Sequence, residues 1–184
     1  MNLASIFNAN FLKAFLILAA FLCTPVTAKD QSIFALRSAY LFYFSHFISW
    51  PEDAEFDNNN LNLCALTDSK NDRFQLKTIE NKTAGTHTLK IVFLDDENFS
   101  TEKRIDTCQI LYISEEHSNW LKNNTSRIGK HTLLITEGQT SSPGFIHLYT
   151  ENSKLKFEID NRKLIDLNFK ASSKLLRLSR KRAP

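Results

Sequence analysis

Histidines and cysteines are the side chains that most often bind transition metals, and this chain carries few of them in suitable positions. Its five histidines are His46, His87, His117, His131 and His147. No two of them have the spacing that places two zinc ligands on one helix face, and no Cys-x-x-Cys pair accompanies them. We therefore expect no metal site.

The carboxylates and glycines form no recognisable catalytic motif either. The acidic residues of 95–97 and of 115–116 are neighbours in sequence, whereas an acid and a base catalyst face each other across a substrate. A solvated loop or a helix start explains such groups better. The chain has only four glycines, without a Gly-x-Ser-x-Gly elbow or a phosphate-binding loop. We expect a protein that is not an enzyme and uses no cofactor.

The first 28 residues have the pattern of a cleaved export signal. Lys13 is followed by the apolar run 14–22, and Val26-Thr27-Ala28 provides a cleavage site after Ala28. The apolar run is shorter than the about 20 residues that span a bilayer. We therefore expect residues 1–28 to be a signal peptide and residues 29–184 to be one exported domain that is not inserted in a membrane.

Two cysteines, Cys64 and Cys108, remain after this cleavage. Export into an oxidising compartment favours a disulfide between them, and two buried free thiols are the alternative. Both lie in strand-like runs, so neighbouring strands would bring them together. The closed loop of about 45 residues would stabilise the fold by roughly 3–4 kcal/mol in the chain-entropy model.

The charge of the chain gives no sign of a nucleic-acid surface. The whole chain carries +3, and loss of Lys13 with the signal peptide leaves a nearly neutral domain. The basic tail from Arg177 to Arg182 is the one exception. A solvated helix end explains this tail best, and contact with anionic lipid is the alternative.

The aromatic residues of 39–51, AYLFYFSHFISWP, are the remaining candidates for recognition. The pattern predicts a helix over 33–49 that Pro51 ends. One face, which we expect to be core, holds Leu36, Tyr40, Tyr43 and Phe47. The opposite face holds Ser38, Ser45 and Ser49, with Phe42 among them. Phe42 and Trp50 are therefore candidate contacts, although Trp50 could equally fill the core.

The other elements alternate between strands and helices. Strands are predicted at 61–67, 86–94, 108–114 and 131–136, followed by a hairpin of 145–151 and 154–160. Helices are predicted after Asp68 or Ser69, over 115–130, and after Ser172 or Ser173. This order indicates a single-domain α/β sandwich with a central mixed, mostly parallel sheet, a C-terminal antiparallel hairpin, and helices on both faces.

Several stretches follow one another along the predicted domain in a recognisable order. They are residues 39–51, Leu63-Cys64-Ala65-Leu66, CQILYI (108–113), HTLLIT (131–136), Phe145-Ile146, KFEID (156–160) and SSKLLRL (172–178). Together they resemble the YfiR-like family of periplasmic regulators, over almost the whole predicted domain. Trp-Pro, the two cysteines, Phe-Glu-Ile and Ser-Ser-Lys-Leu-Leu-Arg-Leu make the resemblance specific as a set.

The resemblance implies a periplasmic, non-enzymatic inhibitor. It would bind the periplasmic sensor domain of an inner-membrane diguanylate cyclase and lower cyclic di-GMP and biofilm formation. The family resemblance further implies a homodimer and a redox-sensitive disulfide, which by position would join Cys64 and Cys108. The candidate residues for partner or ligand binding are Phe42, Trp50, Pro51, Phe145, Glu158 and Arg177.

A second hypothesis is a periplasmic module that binds a small ligand and reports to a membrane receptor. An α/β sheet offers a crevice at its strand ends. Trp50, with Tyr40 or Phe42, could stack on an aromatic or amino-acid-like ligand there.

Overall fold

Ten strands and five α-helices form the described parts of the chain, residues 28–94, 105–138 and 144–181 of a computed structural model. The strands are β1 (Ile48–Ser49), β2 (Asn60–Leu66), β3 (Thr83–Ala84), β4 (His87–Leu94), β5 (Ile110–Ile113), β6 (Leu133–Glu137), β7 (Ile146–Glu151), β8 (Lys154–Ile159), β9 (Lys170–Ala171) and β10 (Arg180–Lys181). The helices are α1 (Ala28–Phe47), α2 (Lys70–Lys77), α3 (Ser118–Asn124), α4 (Asn161–Asp166) and α5 (Ser173–Leu178).

Eight of these described strands form one mixed sheet in the order β10-β8-β7-β6-β5-β2-β4-β3. The central strands β4, β2, β5, β6 and β7 run parallel, and their nearly continuous apolar sequences fit burial on both faces. Strands β7 and β8 form the antiparallel hairpin, with Asn152 (φ 51°) and Ser153 (φ 59°) in left-handed conformation at its turn. The predicted α/β class with a mostly parallel sheet is confirmed.

The caps of the short helices follow their sequences. The Ser69 hydroxyl accepts a hydrogen bond from the Asp72 N–H and so begins α2, and Ser172 caps α5 in the same way through Leu175. Asn168 has a φ of 61°, as expected from its position after α4. The predicted helix over 115–130 is shorter than expected, because turns of 3-10 helix at Glu115–His117 and Thr125–Arg127 flank α3.

The buried face of α1 is not the one that the sequence pattern predicts. The buried residues, at helical spacing, are Arg37, Ser38, Leu41, Phe44 and Ser45. Leu36 and Tyr43, expected in the core, are 39% and 49% exposed. The serines tolerate burial because their hydroxyls donate to backbone carbonyls three residues earlier, those of Ala35 and Phe42. The expectation was therefore wrong for Leu36 and Tyr43, whereas Tyr40 and Phe47 are half-buried against the core.

The end of α1 lies two residues earlier than predicted. Ile48 and Ser49 form β1 and pair antiparallel with Ala171 and Lys170 of β9 in a second, two-stranded sheet. This pairing directs Trp50 and Pro51 away from the helix axis and towards the large sheet.

The export signal predicted for residues 1–28 lies outside the described residues, apart from Ala28. The described residues 28–31, which begin α1, belong to a different unit from residues 32–184. Across the described ranges, no helix has both the length and the apolar character to cross a membrane.

Candidate functional site

Cys64 and Cys108 form a disulfide, with 5.7 Å between their Cα atoms. Cys64 lies in β2, and Cys108 lies just before β5, the parallel neighbour of β2. Both residues are buried. The disulfide therefore crosslinks β2 to the segment at the amino end of β5. The alternative of two free thiols is wrong.

Four aromatic side chains meet beside this disulfide, and we call them the Trp50 cluster: Trp50, Phe56, Phe145 and Phe169. The Trp50 ring lies edge-on to Phe56 and Phe169, at centroid distances of 6.1 and 6.0 Å. Phe145 contacts Phe169 from another side at 5.7 Å. Phe145 and Phe169 are buried whereas Trp50 and Phe56 are half-buried, so the cluster continues from the core to the surface.

Gln109 connects the Trp50 cluster to the disulfide. The Trp50 indole N–H donates to the Gln109 carbonyl over 3.3 Å. The Gln109 amide group donates to the Glu55 carbonyl over 3.0 Å and accepts from the Asn62 N–H over 2.8 Å. Because Gln109 follows Cys108 directly, a displacement of Cys108 moves the acceptor of Trp50.

A polar cavity of about 400 Å³ is lined by Cys108 and Gln109 among others. Asp53 lies at its rim and pairs with Lys130 over 2.9 Å and with His131 over 3.1 Å. The hydrogen bond from Lys130 is the main cause that lowers the pKa of the Asp53 carboxyl. Acidic and basic groups both line the cavity, so it suits a zwitterionic molecule better than an apolar one.

The structure gathers only some of the predicted partner-binding residues. Trp50 and Phe145 belong to the Trp50 cluster, and the buried Pro51 follows Trp50 in the chain. Phe42 lies elsewhere on α1, half-buried, with the Lys82 ammonium 5.7 Å from its ring centre.

The last two candidates lie at the far edge of the sheet. Glu158 occupies β8, opposite His147 of β7 and Arg180 of β10. Arg177 is exposed on α5. The roles of all six candidates stay predictions.

A second polar constellation lies at the carboxyl end of the parallel strands, and we call it the Arg37 cluster: Arg37, Asp72, Tyr112 and Glu137. The Arg37 guanidinium donates to the Asp72 carboxylate and, over 2.5 Å, to that of Glu137. The Tyr112 hydroxyl donates to the second Glu137 oxygen, also over 2.5 Å. The cluster thus joins α1, α2, β5 and β6 through buried groups.

Burial is the largest single influence on the pKa values of Arg37, Asp72 and Tyr112. It raises the pKa of Asp72 despite the opposing attraction of Arg37, and it raises the pKa of Tyr112 well above its usual range. Burial works against the charge of Arg37, but Tyr112 and Glu137 outweigh it and raise the guanidinium pKa. For Asp72, the loss of hydration on burial thus outweighs the attraction of the guanidinium.

The sequence analysis did not identify this cluster. One signal was present: a lone arginine, Arg37, in a mostly apolar stretch of helix. A buried charge requires partners, so such an arginine indicates acidic side chains nearby. Sequence alone does not show which carboxylates those partners are. Asp72 and Glu137 are 35 and 100 residues from Arg37 along the chain.

A family model described as YfiR/HmsC-like matches residues 34–180 of the chain. The match includes the disulfide, the Trp50 cluster and the Arg37 cluster. No curated protein matches the chain.

Proposed function

The chain belongs to the YfiR/HmsC-like family, and from this premise we propose that it binds and inhibits the periplasmic sensor domain of an inner-membrane diguanylate cyclase. The family is one of periplasmic, non-catalytic regulators of cyclic di-GMP signalling. A disulfide fits the oxidising periplasm. The inhibition itself, the partner and a homodimeric state are our proposals.

The observation that carries this proposal is the half-buried Trp50 beside the disulfide. Large aromatic side chains that are rigid and partly accessible dominate the binding energy of protein interfaces. Trp50 is held by two ring contacts and one hydrogen bond, so binding a partner costs it little conformational entropy. The Trp50 cluster is therefore the surface that we assign to the cyclase sensor.

The mechanism that we propose is a population shift. An inhibitor that binds only the inactive state of the sensor moves the equilibrium towards that state by its difference in affinity. Reduction of Cys64–Cys108 would loosen the position of Gln109, and with it the orientation of the Trp50 indole. Reduction would thus weaken binding and release the cyclase.

The experiment that tests this function measures cyclic di-GMP in a deletion strain that retains its periplasmic-sensor cyclases. Deletion should raise the level, and the wild-type gene should restore it. Trp50→Ala should fail to restore it, while Trp120→Ala, at a half-buried tryptophan on α3, should restore it. An unchanged level on deletion contradicts the inhibitor function.

The polar cavity favours a second function, sensing of a small ligand. Three acidic residues, Asp53, Glu55 and Asp106, could bind the ammonium of an amino acid, and Lys130 and His131 could bind its carboxylate. Gln109 lines the cavity and accepts a hydrogen bond from Trp50, so the Trp50 cluster could receive an aromatic ring. A thermal-shift screen with amino acids and aromatic cofactors tests it. If no compound raises the melting temperature, the protein-partner function alone is left.

A further inference from the structure

We propose that the groove between α1 and α5 binds an anionic single-chain amphiphile, such as a fatty acid. The groove lies on the face of α1 that carries Tyr40, Tyr43 and Phe47, away from the Trp50 cluster. Phe157 and Leu175, both buried, form its floor. This ligand site is independent of the proposed binding to a cyclase.

The exposed apolar side chains of the groove are its first unusual feature. Leu178 is 70% exposed and Tyr43 is 49% exposed, on opposite helices at the two rims. Side chains of this size in contact with water gain free energy when an apolar ligand covers them. The apolar part has a volume of about 240 Å³, which suits a slim alkyl chain better than a drug-sized ring system.

The groove continues into a second, cationic cavity of about 330 Å³. The two cavities share Tyr40, Phe157 and Leu178, so they form one continuous depression. Lys156 and Arg180 line the second cavity, and both pair with Glu151. An apolar section that ends at cations is complementary to an alkyl chain that ends in an anion.

Lys174 adds the third cation, and no acidic side chain lines either cavity. Its ammonium lies 5.5 Å from the Phe47 ring centre, and no carboxylate among the described residues pairs with it. A cation that is held only by an aromatic face remains available to an anionic head group. The charge around the groove therefore selects an anion over a neutral or cationic amphiphile.

Calorimetric titration of the purified mature protein with monomeric dodecanoate tests the proposal. We expect one molecule bound per chain. Decanoate should bind about 15-fold more weakly, because each buried methylene changes affinity about fourfold. Dodecyltrimethylammonium, with the same chain and a positive head, should not bind. Absence of dodecanoate binding, or equal binding of the cationic analogue, overturns the proposal.

Matched variants locate the bound molecule. Leu178→Asp should weaken dodecanoate binding at least tenfold, whereas Ile165→Asp, at a residue 59% exposed on α4, should leave it unchanged. Lys174→Met should weaken binding two- to fivefold, as loss of an exposed ion pair does, and Lys170→Met should not. If the groove variant and its control weaken dodecanoate binding equally in either pair, the assignment to this groove is overturned.

Two other occupants are separate outcomes of the same experiments. A dimer in sedimentation that Leu178→Asp dissociates, without any binding of dodecanoate, would assign the groove to a second copy of the chain. Binding to anionic phospholipid vesicles without binding of monomeric dodecanoate would assign it to a membrane surface. Either result overturns the amphiphile site.

Discussion

The two ends of the parallel sheet are held together in opposite ways. At the amino end of β5, a disulfide and the neutral hydrogen bonds of Gln109 hold Trp50 between aromatic rings. At the carboxyl end, the Arg37 cluster joins four elements through buried charges. The same helix, α1, carries Arg37 and leads into Trp50, so it connects both ends.

This difference indicates which end is suited to regulation. A buried ion cluster requires every partner in place, since one unpaired charge in the interior costs several kcal/mol. We expect the amino end to tolerate changes at its surface, because the disulfide maintains the strands there. We therefore expect the half-buried Trp50 and Phe56 to contact another molecule, and the Arg37 cluster to stabilise the fold.

The largest loss of stability is expected from Arg37→Met. This change leaves two carboxylates without their common cation, and the free energy of unfolding should fall by about 3–5 kcal/mol. Asp72→Asn should cost less, because burial raises the pKa of Asp72 and so works against the charge that this variant removes. Urea unfolding measures both. Equal losses for the two variants would show that the ion cluster does not hold the carboxyl end.

The second largest loss of stability is expected from removal of the disulfide at the amino end. The double variant Cys64→Ala, Cys108→Ala should lose roughly 3–4 kcal/mol, because the covalent bond closes a segment of 44 residues in the unfolded chain. Urea unfolding of the wild type with and without reductant provides the control. A loss below about 1 kcal/mol would mean that packing, not the covalent bond, maintains this end.

Trp50→Ala should have a smaller effect on stability. A fully buried tryptophan costs about 3–5 kcal/mol when truncated, so the half-buried Trp50 should cost about 2 kcal/mol. Regulation should be lost while the protein stays folded. Phe42→Ala, away from the cluster, should cost about 1 kcal/mol or less. Circular dichroism with cyclic di-GMP measurement separates the two roles, and unimpaired regulation in Trp50→Ala would move the interface elsewhere.

The smallest effect is a pH dependence at the carboxyl end. Glu116 accepts hydrogen bonds from Thr67 and the Asp68 N–H. Burial acts to raise its pKa, but these hydrogen bonds and one from Ser114 outweigh it and lower the pKa. A lowered pKa stabilises the fold above the usual value of 4.5, and this contribution disappears as the pH falls through the folded-state pKa.

The comparison with Glu116→Gln isolates this contribution. Between pH 7 and pH 3, the urea midpoint of the wild type should fall further than that of the variant. Identical pH profiles would contradict a role of Glu116 in acid stability.

Local patterns predicted most of the fold. Apolar runs identified β2, β4, β5 and β6, and Asn152-Ser153 identified the hairpin. These signals are reliable because strand runs and positive-φ turns depend on neighbouring residues. The disulfide was predicted as well, because the two cysteines remain after cleavage of an expected export signal.

The faces of α1 were not predictable in the same way. Its aromatic side is more hydrophobic, yet the side with Ser38 and Ser45 is buried. Serine hydroxyls that bond to their own helix backbone lose the polarity on which the prediction depended. Aromatic rings left on the outer side then line the groove next to α5.

The sequence by itself determined the α/β class, the strand and turn positions, the cysteine pair and the resemblance to the family. Each depends on local patterns or on residues that recur in order. Only the tertiary structure decided what α1 buries, which carboxylates share Arg37, and which rings surround Trp50. Several of those contacts join residues a hundred or more positions apart, such as Arg37 and Glu137 or Trp50 and Phe169, and the chain brings them together only when the sheet forms.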